Sequence, residues 1–361
     1  MTKSKKYYFM YLNAIASSFA VVVAHTITNP AQLGITKIGP TFYVILCIVL
    51  GIVFSFGVPI FFMQSGANIL NYRERYDTKT FFIKRIHKVV IPFIIWSIFG
   101  FFFIYGKSDF SLTLKSFITT FLSGSIVGPY WFFYNIIGFY LCVPFISLII
   151  KYASRNIIKY TILVLLVVNT GIPIINILTK SQSLFSTSFP FIGPYAQYFI
   201  AGWYFAHNDI SRRTHKQIYI LGIIMLFFEI IATIYFSFYV KQLPGLNYPG
   251  GIVKTFFDIA MLPSFCVMCA LFLIFKQTEP KLQKSDSFRK YLAQGAGLTF
   301  GIYLLHPFII TWLLVPFNNY LTTLPLLIKM VIDPIFVYLL SGVITFLIRK
   351  MKYFKMVDAI M

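Results

Sequence analysis

Ten apolar runs, most of them about as long as an α-helix needs to cross a hydrocarbon core of ~30 Å, follow one another along the chain. They cover residues 8–28, 41–70, 89–105, 130–150, 157–178, 189–206, 218–240, 252–275, 298–315 and 326–348. In a bilayer each run must satisfy its backbone hydrogen bonds internally, which leaves the helix as the element for segments of this length. With 58% hydrophobic and only 11% charged residues among 361, the chain lacks the polar surface that a soluble domain of its size requires. A Rossmann-type enzyme, a secreted disulfide scaffold and a disordered chain are excluded. The fold class predicted is all-α: a polytopic integral membrane protein of about ten transmembrane helices, forming a single membrane domain over 1–361 with no appended soluble domain.

The net charge of +21 invites a nucleic-acid reading, but the distribution of the charge gives another. Counted along alternate connections, 24 of the 31 Lys and Arg residues fall on one side and 7 on the other. The positive-inside rule then places both termini in the cytoplasm. A basic start followed by an apolar stretch resembles a signal peptide, yet the run is longer than a signal core and leads into further spans, so a retained first helix is expected. The second run would measure ~45 Å as one helix. It contains Gly57-Val58-Pro59, which predicts a kink or break there. Cys47, Cys142, Cys266 and Cys269 all lie in apolar runs, and their spacing suits small helix-packing residues. A first prediction follows from this topology. In a background lacking native cysteines, single cysteines at Ser154, Thr214 and Ser285 should be shielded from an impermeant thiol reagent in intact cells. Those at Ser108, Ser183 and Thr322 should be labelled; labelling of both sets contradicts the topology.

Ionisable side chains inside spans cost ~2.5–3.5 kcal/mol on insertion scales, so each needs a partner or a purpose. His25, Glu229, Asp258, His306 and Asp333 are in this position. Pairing with Lys254, Lys329 or hydroxyls is the expectation for the three acids. His25, in AVVVAHTIT, sits near the outer end of the first helix, while His306 lies deep in the ninth span beside Pro307. An imidazole with an ordinary pKa of about 6.5 is suited to base catalysis near neutrality, or to hydrogen-bonded packing. The segment NYRERYDTKTFFIKRIHKVVIP is the densest basic patch beside the membrane. It serves equally as a topology anchor against anionic lipid or as a phosphate site gripped by Arg. Trp131 and Tyr134, in PYWFFYNIIGFYLCVP, fit an outer aromatic belt or the mouth of a sugar site.

As an ordered set, YLNAIASSFAVVVAH, FGVPIFFMQSGANIL and FFIKRIHKVVIPFIIW resemble the opening helices of the membrane acyltransferase-3 family. YWFFYNIIGFYLCVP, YFIAGWYF and FGIYLLHP resemble its later signatures in the same order. The resemblance runs from Tyr11 to about Pro307 and implies an enzyme, an O-acetyltransferase. It would move an acyl group, usually acetyl, from cytoplasmic acyl-CoA to an extracytoplasmic or lipid-linked glycan. The family's first-helix histidine falls on His25, and the basic start of its third span falls on Lys84, Arg85 and Lys88. Many members carry Arg eleven residues before the histidine; Ala14 stands there here, with Asn13 beside it. Extended members append an esterase-like domain, and none is expected here.

On this resemblance acetyl-CoA is the donor substrate, with no bound cofactor and no metal. Lys84, Arg85 and Lys88, joined by Arg73 and Arg75, would hold its phosphates. His25 would act as general base or transient acyl carrier. Ser65, Tyr303 and His306 are candidate contacts for the developing oxyanion, and Trp131 and Tyr134 for the acceptor. Expected partners are the glycan acceptor, membrane lipids and a component of polysaccharide assembly, with no nucleic acid, and the expected location is the plasma membrane. Capsule, teichoic acid, peptidoglycan and a lipid-linked precursor are all open as acceptor. The alternative is a transporter or flippase for a lipid-linked glycan or small metabolite, which would also use intramembrane ionisable residues and broken helices.

Overall fold

The computed structural model describes residues 7–27, 41–106, 111–178, 195–238, 259–284, 286–320 and 324–350. Almost all of these are helical, and no strand occurs among them. In chain order the helices are α1 (Phe9–Ile27), α2 (Phe42–Val53), α3 (Gly57–Ile69), α4 (Thr78–Arg85), α5 (Ile91–Tyr105), α6 (Leu114–Leu122), α7 (Trp131–Tyr152) and α8 (Arg155–Leu178). They continue with α9 (Ala196–His207), α10 (Arg212–Phe238), α11 (Leu262–Gln277), α12 (Glu279–Leu282), α13 (Asp286–Ile309), α14 (Val315–Tyr320) and α15 (Leu326–Lys350). Nine helical stretches among the described residues are long and apolar enough to cross a membrane, one of them, Phe42–Glu74, running through both α2 and α3. The expected crossing at 189–206 is represented there by the 12-residue α9. The chain divides into two compact units: residues 1–71 with 146–296, and residues 72–145 with 297–361.

In the first unit the second crossing breaks between α2 and α3, over residues 54–56 and just before Gly57. Gly57 is needed there for contact. A Cβ on it would stand 2.8 Å from the Ser17 carbonyl and 2.7 Å from Val21 Cγ2, so α1 and α3 approach backbone to backbone. The closest crossing joins α3 to α9. A Cβ on Gly66 would collide with the Phe199 carbonyl, and one on Gly202 with the Met63 carbonyl. Small residues permit such approach in membranes, where dispersion and hydrogen bonds drive association. Phe62 stacks on Tyr195 at 4.9 Å, and Trp203 Nε1 donates to Asn71 Oδ1 at 2.6 Å. In α11 the Cys266 carbonyl and Ala270 face Gly222 of α10, so these small residues serve packing. Ile223, Phe227 and Ile231 of α10, at i, i+4 and i+8, are exposed and suit a lipid-facing stripe.

In the second unit two π-helical turns interrupt spans: Ile86–Val90 and Ile310–Leu314. Each lies just before a proline, Pro92 and Pro316. A proline has no N–H and its ring pushes against the i−4 carbonyl, so a wider turn upstream relieves both defects. The amphipathic α6 opens with a capping box between Thr113 and Ser116. Its Phe117 and Phe121 pack on Phe101 and Phe93 of α5.

Candidate functional site

The basic segment folds over an aromatic platform in the second unit. Tyr72 and Phe81 are fully buried with ring centroids 4.6 Å apart, Tyr76 lies 6.0 Å from Tyr72, and Tyr140 lies 6.3 Å from Phe81. Tyr72 hydrogen-bonds the Thr78 hydroxyl at 2.8 Å, tying the platform to the first turn of α4. Asp77 caps that helix, accepting the Thr80 N–H at 3.2 Å; its bonds to Thr80 hold its carboxyl below the usual carboxylate range. Four cations lie on the rings. Arg73 stands 5.2 Å from Tyr72, Arg75 5.6 Å and Lys84 3.9 Å from Tyr76, and Arg85 5.6 Å from Phe81 and 5.7 Å from Tyr140. Each such contact contributes roughly 0.5–1 kcal/mol when exposed. The rings thereby hold long side chains in place without neutralising them. Arg73 also reaches the Pro144 carbonyl at 3.4 Å. Among the described residues no carboxylate pairs with Lys84, Arg85 or Lys88, and the buried Arg85 Nε has no hydrogen-bond partner. Lys88 sits in the π turn that follows. A half-buried guanidinium beside exposed ammonium groups is suited to a multiply charged anion.

The tyrosine and histidine candidates of the same unit are engaged with backbone. Tyr303 donates to the Pro129 carbonyl at 2.5 Å, and Tyr130 donates to the Leu304 carbonyl at 2.8 Å, so the start of α7 and α13 clasp each other reciprocally. Pro307 has no N–H to give the Tyr303 carbonyl four residues earlier. His306 Nδ1 lies 2.7 Å from that carbonyl, and because a carbonyl only accepts, Nδ1 carries the proton. His306 is fully buried. Tyr134 donates to the Phe121 carbonyl and sits edge-on to Phe93 at 5.0 Å, joining α7 to α6 and α5. Trp131 opens α7 and is half-buried; its carbonyl accepts from Asn135 at 3.0 Å. Asp333 accepts from the Asn318 amide at 2.8 Å, and Lys329 reaches the Asn318 carbonyl at 3.4 Å, so an asparagine mediates the expected pairing.

His25 and Ser65 belong to the first unit, on α1 and α3, and both are half-buried. His25 stands in the last turn of α1, about 24 Å along the helix from Phe9. Glu229 is buried on α10 and accepts from the Ser264 hydroxyl at 2.8 Å, the hydroxyl pairing expected of it. Asp258 and Lys254 lie outside the described residues. The sequence did not single out Asn169 and Gln197. Asn169 donates to Gln197 at 2.8 Å, and Gln197 donates to the Ala260 carbonyl at 2.8 Å, just before α11. Two carboxamides in otherwise apolar runs were the available signal.

Spanning helices, broken crossings and an ordered cationic cluster together define a multi-pass helical membrane protein. The family model Acyl_transf_3, described as an acyltransferase domain, matches residues 14–348, and the chain belongs to that family. Neither the curated proteins nor the solved structures gave a match.

Proposed function

We propose that this membrane acyltransferase moves an acetyl group from acyl-CoA to a hydroxyl of a surface or lipid-linked glycan, in the plasma membrane. The observation that carries the donor assignment is the cluster of Arg73, Arg75, Lys84 and Arg85 held over Tyr72, Tyr76, Phe81 and Tyr140. Coenzyme A is a multiply phosphorylated anion, and cations fixed on rings offer it charge-assisted hydrogen bonds at little ordering cost. The role of His25 stands on separate grounds. Tyrosines aside, it is the one ionisable side chain of α1, and the family resemblance of the opening helices implies a histidine there. As a general base it takes the proton of the acceptor hydroxyl. The hydroxyl oxygen then forms a C–O bond to the acyl carbon, the C–S bond breaks, and the proton passes to the departing thiolate. Tyr303 and His306, with their protons on carbonyls, serve the packing of α13 in this scheme.

Arg85→Ala tests the donor site. Loss of a charge-assisted phosphate bond should weaken acyl-CoA binding by about 1.5–3 kcal/mol, with membrane insertion intact because the neighbouring cations remain. Unchanged donor affinity with a lower protein level in the membrane would make Arg85 a topology anchor. Transport of a glycan without covalent change by the purified chain would favour a transporter instead.

A further inference from the structure

Ser and Thr hydroxyls inside these spans normally return to their own helix: Ser18 bonds the Ile15 carbonyl at 2.9 Å, Thr26 the Val22 carbonyl at 2.9 Å, and Ser341 the Val337 carbonyl at 2.6 Å. Ser17 does not. Its Oγ, both polar side-chain atoms of Asn13, and the Gln64 Oε1 are sealed from solvent with no hydrogen-bond partner among the described residues. Asn13 and Ser17 are 0% exposed. An unsatisfied buried polar group costs ~1–3 kcal/mol, and folded proteins keep few of them. Here they gather on one seam. Asn13 and Ser17 stand one turn apart on α1, a rise of ~6 Å. Ser17 lies level with Gly57, where α1 and α3 touch. Gln64 lies ~10 Å further along α3, which as the next crossing runs opposite to α1 and so carries Gln64 toward the start of α1.

We propose that Asn13, Ser17 and Gln64 are the binding groups for the amide-bearing pantetheine arm of the acyl donor. Asn13 has both a carbonyl and N–H groups, Ser17 a hydroxyl that donates or accepts, and Gln64 an acceptor. None is charged, so the column suits a neutral hydrogen-bonding chain and not a phosphate. The pantetheine arm has two amides joined through two methylenes, about 5 Å apart by standard bond lengths, close to the rise from Asn13 to Ser17. These side-chain atoms have no native hydrogen bond to give up when an arriving chain bonds them. The assignment presupposes the thioester chemistry proposed above.

The test uses the full-length protein in detergent and free pantetheine, which has both amides but neither phosphates nor an acyl group. Pantetheine should bind the wild type, and Asn13→Leu combined with Ser17→Ala should weaken that binding at least about tenfold, the effect of one to two lost hydrogen bonds. The double variant should unfold at the same temperature as wild type or higher, since it removes unsatisfied polar groups. Ser17→Ala alone, the milder change, should show the same trend. Wild type that does not bind pantetheine, or variants that bind it equally well, would overturn the assignment and leave the column as hydrated packing. Acetyl transfer from S-acetyl-pantetheine is scored separately. Pantetheine binding without any transfer would remove the acyltransferase function and retain the site.

Discussion

His25→Gln is expected to lower acyl transfer by ~10²–10⁴-fold, the usual contribution of a general base. Glutamine keeps much of the size and polarity of the imidazole but has no useful basicity. A covalent relay through the imidazole would make the loss larger still. The change should leave the fold intact. His25 is half-buried in the last turn of α1, beyond the tight Ser17–Gly57 contact, so its replacement disturbs no backbone crossing. Donor binding should stay near wild type, because the cations assigned to the phosphates are held by their own rings. A variant that transfers acetyl within a few-fold of wild type would return His25 to a packing role.

The second large effect concerns the fold. Gly66→Leu should destabilise the protein by on the order of 3 kcal/mol or more, beyond the usual range for an overpacked core. The obstacle is the Phe199 carbonyl, part of the α9 backbone, which cannot rotate aside as a side chain can. Nor can the helices separate freely, since Gly202 meets the Met63 carbonyl in the same crossing. Gly138→Ala and Gly171→Ala are the controls: a Cβ at either position meets nothing within 4 Å. Alanine there should be neutral or stabilising, by up to about 1 kcal/mol from helix propensity. Thermal unfolding in detergent reads all three. Equal stability of Gly66→Leu and wild type would show that α3 and α9 do not cross as closely as described.

Much of this fold is legible in the chain because the bilayer imposes length and apolarity on each crossing. The break before Gly57 was readable from Gly57-Val58-Pro59, since glycine and proline weaken a helix at that point. The π turns before Pro92 and Pro316 were not, because a proline signals a defect without showing how the backbone absorbs it. Helix α6 was read only as connection: its apolar face is half covered by Phe93 and Phe101 of α5, a fact of tertiary packing. At the site, the basic segment stood out by charge density. Its platform did not, because Tyr72, Tyr76 and Phe81 read as ordinary interfacial aromatics until Tyr140 is brought beside them from α7. The proton positions of Tyr303 and His306 were equally hidden, since they depend on the carbonyls of Pro129 and Tyr303. His25 was legible by its isolation among apolar residues, and that isolation is still the ground on which its role rests.

The most direct measurement is a mass comparison of surface glycans from three cell lines: one with the wild-type gene, one without it, and one expressing His25→Gln at wild-type level. Glycans should be heavier by acetyl groups in the first line alone, with the second and third alike. Identical glycans in all three, or full acetylation in the His25→Gln line, would contradict an acetyl transfer that depends on His25.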